Sequence, residues 1–64
     1  MKDVQLDNSG SIVGLTPITP AAREWIEEHC QTEPWQWLGL TLNVDCRYAA
    51  AIVQGMADDG LILA

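Results

Sequence analysis

The sequence predicts one α+β domain over residues 1–64, with two helices packed on a single sheet. Short segments with the two-residue period of strands alternate along the chain with two segments of helical period. Apolar residues make up 48% of the chain, which is enough for a core and argues against intrinsic disorder. The predicted order is strand, strand, helix, strand, helix, strand, with no repeats and no linker.

The N-terminal residues predict a hairpin over residues 3–16. Two short apolar stretches, residues 4–6 and 12–15, flank a run of turn-forming residues at 7–10. A helix is predicted next, over residues 20–30, because Thr19 suits the N-cap and Pro20 suits the first helical turn. The apolar stripe of this helix would consist of Ala22, Trp25, Ile26 and His29.

The middle of the chain predicts a strand over residues 35–44. Pro34 prevents the first helix from continuing, and the segment WQWLGLTLNVD then alternates with a period of two. A helix over the same segment is the alternative. In the strand, one face would carry Leu38, Leu40, Leu42 and Val44, and the other would carry Trp37, Gly39, Thr41 and Asn43.

A second helix is predicted over residues 46–59, followed by a short strand at residues 61–64. Asp45 is a favourable N-cap, Gly60 suits the position just after the helix, and Leu61 can make the apolar contact that accompanies such an ending. The buried stripe of this helix would consist of Ala49, Ile52, Val53 and Met56.

The charge of the chain narrows the classes of partner. Nine acidic and three basic residues give a formal net charge of −6. This disfavours direct binding of nucleic acid or an anionic membrane, because phosphate recognition depends on Lys and Arg. No stretch approaches the roughly 20 apolar residues of a membrane span, and the N-terminal residues lack the apolar core of a secretory signal. We therefore expect a cytoplasmic protein in which Cys30 and Cys46 stay reduced.

The residues that could carry catalysis or bind a metal form no known pattern. His29 and Cys30 are adjacent, but zinc sites place their cysteines two to four residues apart, and Cys46 lies far along the chain. Ser9 and Ser11 lack the glycine frame of a nucleophile elbow, and no phosphate-binding glycine motif is present. We expect no cofactor, no metal and no enzymatic activity.

The acidic residues are the most informative feature. Glu24 and Glu28 are like charges one helical turn apart, and Asp58 and Asp59 lie at the negative end of the second helix, so both pairs are locally unfavourable. Such residues often mark a functional surface, although the charge could also serve solubility alone. We hypothesise an acidic surface that imitates nucleic acid and binds a partner protein's Lys- and Arg-lined groove. Its acidic residues would be Glu24, Glu27, Glu28, Glu33, Asp58 and Asp59.

A tryptophan could add an aromatic contact to this surface. Trp37 opposes the leucine face of the predicted strand, and exposed aromatic residues are enriched in interface hot spots. The alternative is that the indole packs over the seam between helices and sheet. We include Trp37 among the partner-binding candidates.

The segment LNVDCRYAAAIVQGMADDGLI, residues 42–62, resembles the recognition-helix region of winged-helix DNA-binding domains of the bacterial DNA-translocase type. In that region an AA-x-x-hydrophobic-x-x-M pattern precedes a glycine. The resemblance implies a DNA-binding module. This chain departs from the pattern in having few side chains suited to reading DNA. The matching positions are Ala49, Ala50, Val53, Met56 and Gly60, and the available DNA contacts are Arg47, Tyr48 and Gln54.

The whole chain resembles small acidic proteins encoded by bacterial phages and mobile elements. The resemblance lies in LTPITPAAREWIEEHC, WQWLGLTLNVD and RYAAAIVQGMADDGL, together with size and charge. Proteins of this kind include anti-CRISPR inhibitors of type I surveillance complexes. The resemblance implies an inhibitor that binds a CRISPR surveillance complex in the host bacterial cell and blocks its access to target DNA. A phage accessory or structural subunit is the further alternative.

Overall fold

The computed structural model describes residues 1–64 and shows the predicted α+β class. A four-stranded antiparallel sheet carries two helices. The elements are β1 (Val4–Ser9), β2 (Ile12–Pro17), α1 (Pro20–His29), β3 (Trp37–Leu38), β4 (Thr41–Asp45) and α2 (Cys46–Asp58), with a 3-10 turn at Pro34–Gln36 before β3.

The strands lie in the order β1-β2-β4-β3. One row of large apolar side chains crosses all four, because Leu6 pairs with Leu15, Leu15 with Leu42, and Leu42 with Trp37. Side chains alternate between the two faces of a sheet. This row and its neighbours at alternate positions therefore define the face on which the helices pack.

Both hairpins turn through a glycine followed by one other residue. Ser9 pairs with Ile12 around Gly10, and Leu38 pairs with Thr41 around Gly39. The two glycines have φ of 72° and 64°, and no other residue type has positive φ. This pattern fits type II′ turns, whose twist matches that of the flanking strands. The run at residues 7–10 is thus mostly strand, and the first turn lies at residues 10–11, two residues later than the centre of that run.

The single strand predicted over residues 35–44 is wrong in its extent. Pro34–Gln36 is a 3-10 turn, and the rest of the segment is a hairpin of β3 and β4. The turn at Gly39 breaks the alternation, so Leu38 and Leu40 are 77% and 64% exposed instead of sharing the buried face. The alternative of a helix over this segment is also wrong.

The core is one cluster between the sheet and both helices. Trp25, Ile52 and Val53 are partly buried and pack against it, as their place in the predicted stripes indicated. Each fully buried large side chain contributes roughly 1.5–3 kcal/mol by leaving water. The buried apolar residues are Val4, Leu15, Ala22, Ile26, Leu42, Val44, Ala49 and Met56.

The predicted helix ends are confirmed to within a residue. The Thr19 hydroxyl accepts a hydrogen bond from the Ala22 N–H, and the Asp45 carboxylate accepts one from the Arg47 N–H. At the end of α2, Gly60 has φ of 88°, its N–H donates to Ala57, and the Leu61 N–H donates to Met56. This is a Schellman ending, in which the left-handed glycine lets the last carbonyls find partners.

The C-terminal strand predicted at residues 61–64 is reduced to a single parallel bridge between Val4 and Leu63. The segment still runs along the free edge of β1, where the N–H groups of Asp3 and Val4 donate to the Ile62 carbonyl. Asp3 also joins three parts of the chain: its carboxylate accepts from the Thr19 hydroxyl and from the Ile62 N–H, both at 2.8 Å. These bonds cover one edge of the sheet.

Candidate functional site

Three glutamates project from the side of α1 that faces away from the sheet. Ala22 and Ile26 face the core and are buried, so a helical period of 3.6 places Glu24, Glu27 and Glu28 on the opposite side. All three are exposed. We call these three residues the α1 acidic face. Glu33, in the segment after α1, is exposed as well.

The carboxylates of the α1 acidic face have no cationic partner within the chain. The protein contains two ion pairs, between Arg47 and Asp45 at 3.1 Å and between His29 and Asp59 at 3.8 Å, the latter only when the imidazole is protonated. Arg23 is on α1 one turn before Glu27, yet forms no ion pair with it. The acidic face is thus free to bind external cations.

The two aspartates at the end of α2 differ in their contacts. The Asp58 carboxylate accepts a hydrogen bond from Gln54 on the same helix at 3.0 Å. Asp59 instead accepts one from the indole N–H of Trp25 at 2.5 Å, which joins the end of α2 to α1. Both are exposed. Asp59 therefore has a structural role within the fold, while Asp58 belongs to the available acidic surface.

Trp25 and His29 form the side of α1 next to Asp59. Their rings stack with centroids 4.3 Å apart and planes inclined by 15°. The Nδ1 of His29 donates to the Trp25 carbonyl at 2.9 Å. Gly55 of α2 lies against this stack, since a Cβ there would come within 3.0 Å of the Trp25 ring. These contacts fix the position of α1, and of its acidic face, relative to α2.

Trp37 is not the exposed aromatic contact that was predicted. Trp37 is partly buried against the core, and its indole N–H donates to the Thr32 hydroxyl at 3.1 Å. This matches the alternative of packing over the seam, and leaves Trp37 poorly placed as an exposed contact. Trp35 is 81% exposed. Its position directly after Pro34, at the start of the predicted strand, was the available signal that it lacks a place in the core.

Trp35 lies beside a groove that the sequence did not reveal. The groove has a volume of about 440 Å³, and it combines side chains from β2, the 3-10 turn, β4 and the first turn of α2. Pairing of Ile12 with Asp45 places both on the sheet face opposite the helices. We call this site the Trp35 groove, and its lining residues are Ile12, Trp35, Gln36, Asn43, Asp45 and Tyr48.

The thiols and the other possible metal ligands lie apart. Cys30 and Cys46 are both free, with Cys30 partly buried and Cys46 exposed. Burial raises the pKa of the Cys30 thiol above its ordinary value and so keeps it protonated and unreactive. No three His, Cys, Asp or Glu side chains come together in an arrangement suited to a metal ion.

Two of the three possible DNA-contacting residues of α2 are already bonded within the chain, and the third, Tyr48, is exposed. Arg47 is paired with Asp45, and Gln54 donates to Asp58. The segment before α2, where a winged-helix domain would need a helix, is strand β4. Neither helix of the structure has the length and continuous apolar character needed to cross a bilayer.

A comparison of the chain with protein-family models, with curated protein sequences and with solved structures found no match in any of the three.

Proposed function

We propose that this chain is a protein-binding inhibitor of the anti-CRISPR type, of phage or mobile-element origin, that acts in the cytoplasm of a host bacterial cell. Its acidic surface would occupy the DNA-binding groove of a CRISPR surveillance complex. It acts by binding and catalyses no reaction. The observation that carries the proposal is the α1 acidic face, whose carboxylates are exposed and lack an internal cationic partner.

The spacing of charges on this face is close to that along one strand of duplex DNA. Residues 24–28 rise about 6 Å along the helix axis, at about 1.5 Å per residue. Three carboxylates over that length are about 3 Å apart along the axis on average. Successive charges along one strand of duplex DNA are about 3.4 Å apart on its axis. The α1 acidic face therefore matches electrostatically a groove whose Lys and Arg side chains bind phosphates.

The fold presents the α1 acidic face on a fixed element. The helix begins at the Thr19 cap, is buried through Ile26, and is joined to the end of α2 by the bond from Trp25 to Asp59. A partner that binds a preorganised helix spends less free energy on ordering it. Glu33 and Asp58 extend the negative surface beyond the helix.

A net charge of −6 also favours rapid association with a basic partner. Opposite potentials steer diffusional encounter, and salt weakens that effect. Inhibition should therefore need more protein as the ionic strength rises.

The experiment is a mobility-shift competition. A purified type I surveillance complex is bound to labelled target duplex and titrated with this protein, at low and at high NaCl concentration. Parallel lanes contain the duplex and this protein without the complex. Loss of the complex–DNA band at low salt, with less loss at high salt and no shift by the protein alone, is the expected result.

Two outcomes would replace the proposal. A shift of the duplex by the protein alone would favour the winged-helix DNA-binding alternative. Stable association with the complex, without displacement of DNA, would favour an accessory subunit. The absence of any association with the surveillance complex would contradict this choice of partner.

A further inference from the structure

The Trp35 groove has the composition of a site for a guanidinium group. Trp35 and Tyr48 are 81% and 65% exposed, although aromatic rings of this size gain most from burial. Asp45 lines the same groove and supplies a carboxylate beside the rings. Aromatic faces attract cations, and a neighbouring carboxylate strengthens that attraction.

The chain shows this chemistry with one of its own residues. The guanidinium carbon of Arg47 lies 6.0 Å from the centre of the Tyr48 ring, and Arg47 Nε is 3.1 Å from Asp45 Oδ1. The Arg47 side chain is nevertheless 78% exposed. Arg47 binds both carboxylate oxygens of Asp45 but leaves Trp35 uncovered.

We propose that the Trp35 groove binds an arginine side chain of a partner protein, stacked on Trp35 and Tyr48 and paired with Asp45. Charge complementarity selects this occupant. A second copy of the chain would bring another net charge of −6, and like charges repel. Nucleic acid would place phosphates against the Asp45 carboxylate.

This site is separate from the α1 acidic face. Ile12 and Asp45 are on the face of the sheet that the helices leave uncovered, whereas the α1 acidic face lies beyond the opposite face. The protein therefore has two surfaces for basic partners. The second does not depend on the surveillance complex being the partner of the first.

The test is an NMR titration of the ¹⁵N-labelled full chain with the peptide acetyl-Gly-Arg-Gly-amide. The indole N–H groups of Trp25 and Trp37 are bonded inside the protein and that of Trp35 is not, so the three indole signals report separately. The Trp35 signal should move in a saturable way while the other two stay in place. The matching peptide with Glu in place of Arg should have no such effect.

Three substitutions locate the bound side chain. Tyr48→Ala should weaken the peptide by about two- to fivefold, the value of one exposed cation–π contact. Asp45→Asn keeps a helix-capping oxygen but removes the charge, and should also weaken binding. Arg47→Ala should tighten binding because it removes the internal competitor. Leu40→Ala, an exposed residue outside the groove, is the matched control and should change nothing.

The proposal is overturned if the Trp35 signal does not move, if the Glu peptide moves it equally, or if Tyr48→Ala leaves the affinity unchanged. Movement of the Trp35 signal on simple concentration of the protein, without peptide, would identify a second copy as the occupant instead. The variant E24Q/E27Q/E28Q should keep the Trp35 response. The peptide titration therefore tests the Trp35 groove independently of the inhibitor proposal, and either proposal can fail without the other.

Discussion

The indole N–H of Trp25 donates a hydrogen bond of 2.5 Å to the carboxylate of Asp59, and so joins α1 to the end of α2. An aspartate at a helix C-terminus is unfavourable for the helix dipole. The contact with Trp25 offsets that cost. The nearby His29, when protonated, also attracts the Asp59 carboxylate. Asp59 is unfavourable for α2 alone, and its contact with α1 explains its position.

Asp59→Ala should lower the free energy of unfolding by about 1 kcal/mol. The loss of a hydrogen bond to a charged group outweighs the gain from removing the repulsion between the carboxylate and the helix dipole. Urea unfolding followed by tryptophan fluorescence measures the change. Asp58→Ala is the matched control, since Asp58 contacts only Gln54 of its own helix. The control should stay within about 0.5 kcal/mol of wild type. Equal effects of the two substitutions would contradict the role given to Asp59.

Gly55→Ala should destabilise the protein by about 1 kcal/mol or more, although alanine is normally the better helix former. The new Cβ would come within 3.0 Å of the Trp25 ring, which its bond to Asp59 and its stack on His29 hold in place. Thermal unfolding tests this. In a Trp25→Leu background the same substitution should become neutral or stabilising. A stabilising effect in the wild-type background would show that the ring moves freely.

Stability should decrease in acid through Asp3 and Asp45. The Ile62 N–H, and then the Thr19 hydroxyl, lower the pKa of Asp3, and the hydrogen bond from Arg47 lowers the pKa of Asp45. Because each folded pKa is below the unfolded value of about 3.9, each contribution is complete above that value. It is lost as the pH falls through the folded pKa.

The measurement is the unfolding midpoint between pH 6 and pH 2. Asp3→Asn should lower the midpoint at pH 6 and flatten the dependence on pH. Glu24→Gln, at an exposed residue without these bonds, is the control and should keep the wild-type slope. Parallel curves for Asp3→Asn and wild type would contradict the assignment.

Local signals in the sequence were sufficient for the helices and the first hairpin. The Thr19 and Asp45 caps, the Gly60 ending and the apolar stripes depend on residues close together in the chain, and the structure confirms them. The strand over residues 35–44 failed for a related reason. A two-residue hairpin keeps the period of two within each strand but shifts its phase across the turn, so Leu38 and Leu42 lie on opposite faces. Gly39 was the one sign of this break.

The candidate site was less accessible to the same reasoning. The exposure of the α1 glutamates follows from helical spacing, but the bond between Trp25 and Asp59 joins residues 34 positions apart. The Trp35 groove likewise draws on Ile12 and Tyr48, which only the sheet pairing and the start of α2 bring together. Periodicity indicates which side of an element is buried; it does not indicate which elements meet.

The most direct test of the central claim is to neutralise the α1 acidic face and measure displacement of DNA from the surveillance complex. The variant E24Q/E27Q/E28Q should fold at least as well as wild type, because it removes the repulsion between Glu24 and Glu28. Asp59 is left unchanged so that the contact with Trp25 stays intact. Asp7→Asn, an exposed acid on β1, is the control for a general loss of charge.

The quantity measured is the protein concentration that releases half of the labelled duplex. We expect it to rise by at least about tenfold in E24Q/E27Q/E28Q, the combined value of three exposed charge contacts, and to stay near the wild-type value in Asp7→Asn. A folded triple variant that releases DNA within twofold of the wild-type concentration would contradict inhibition through this face.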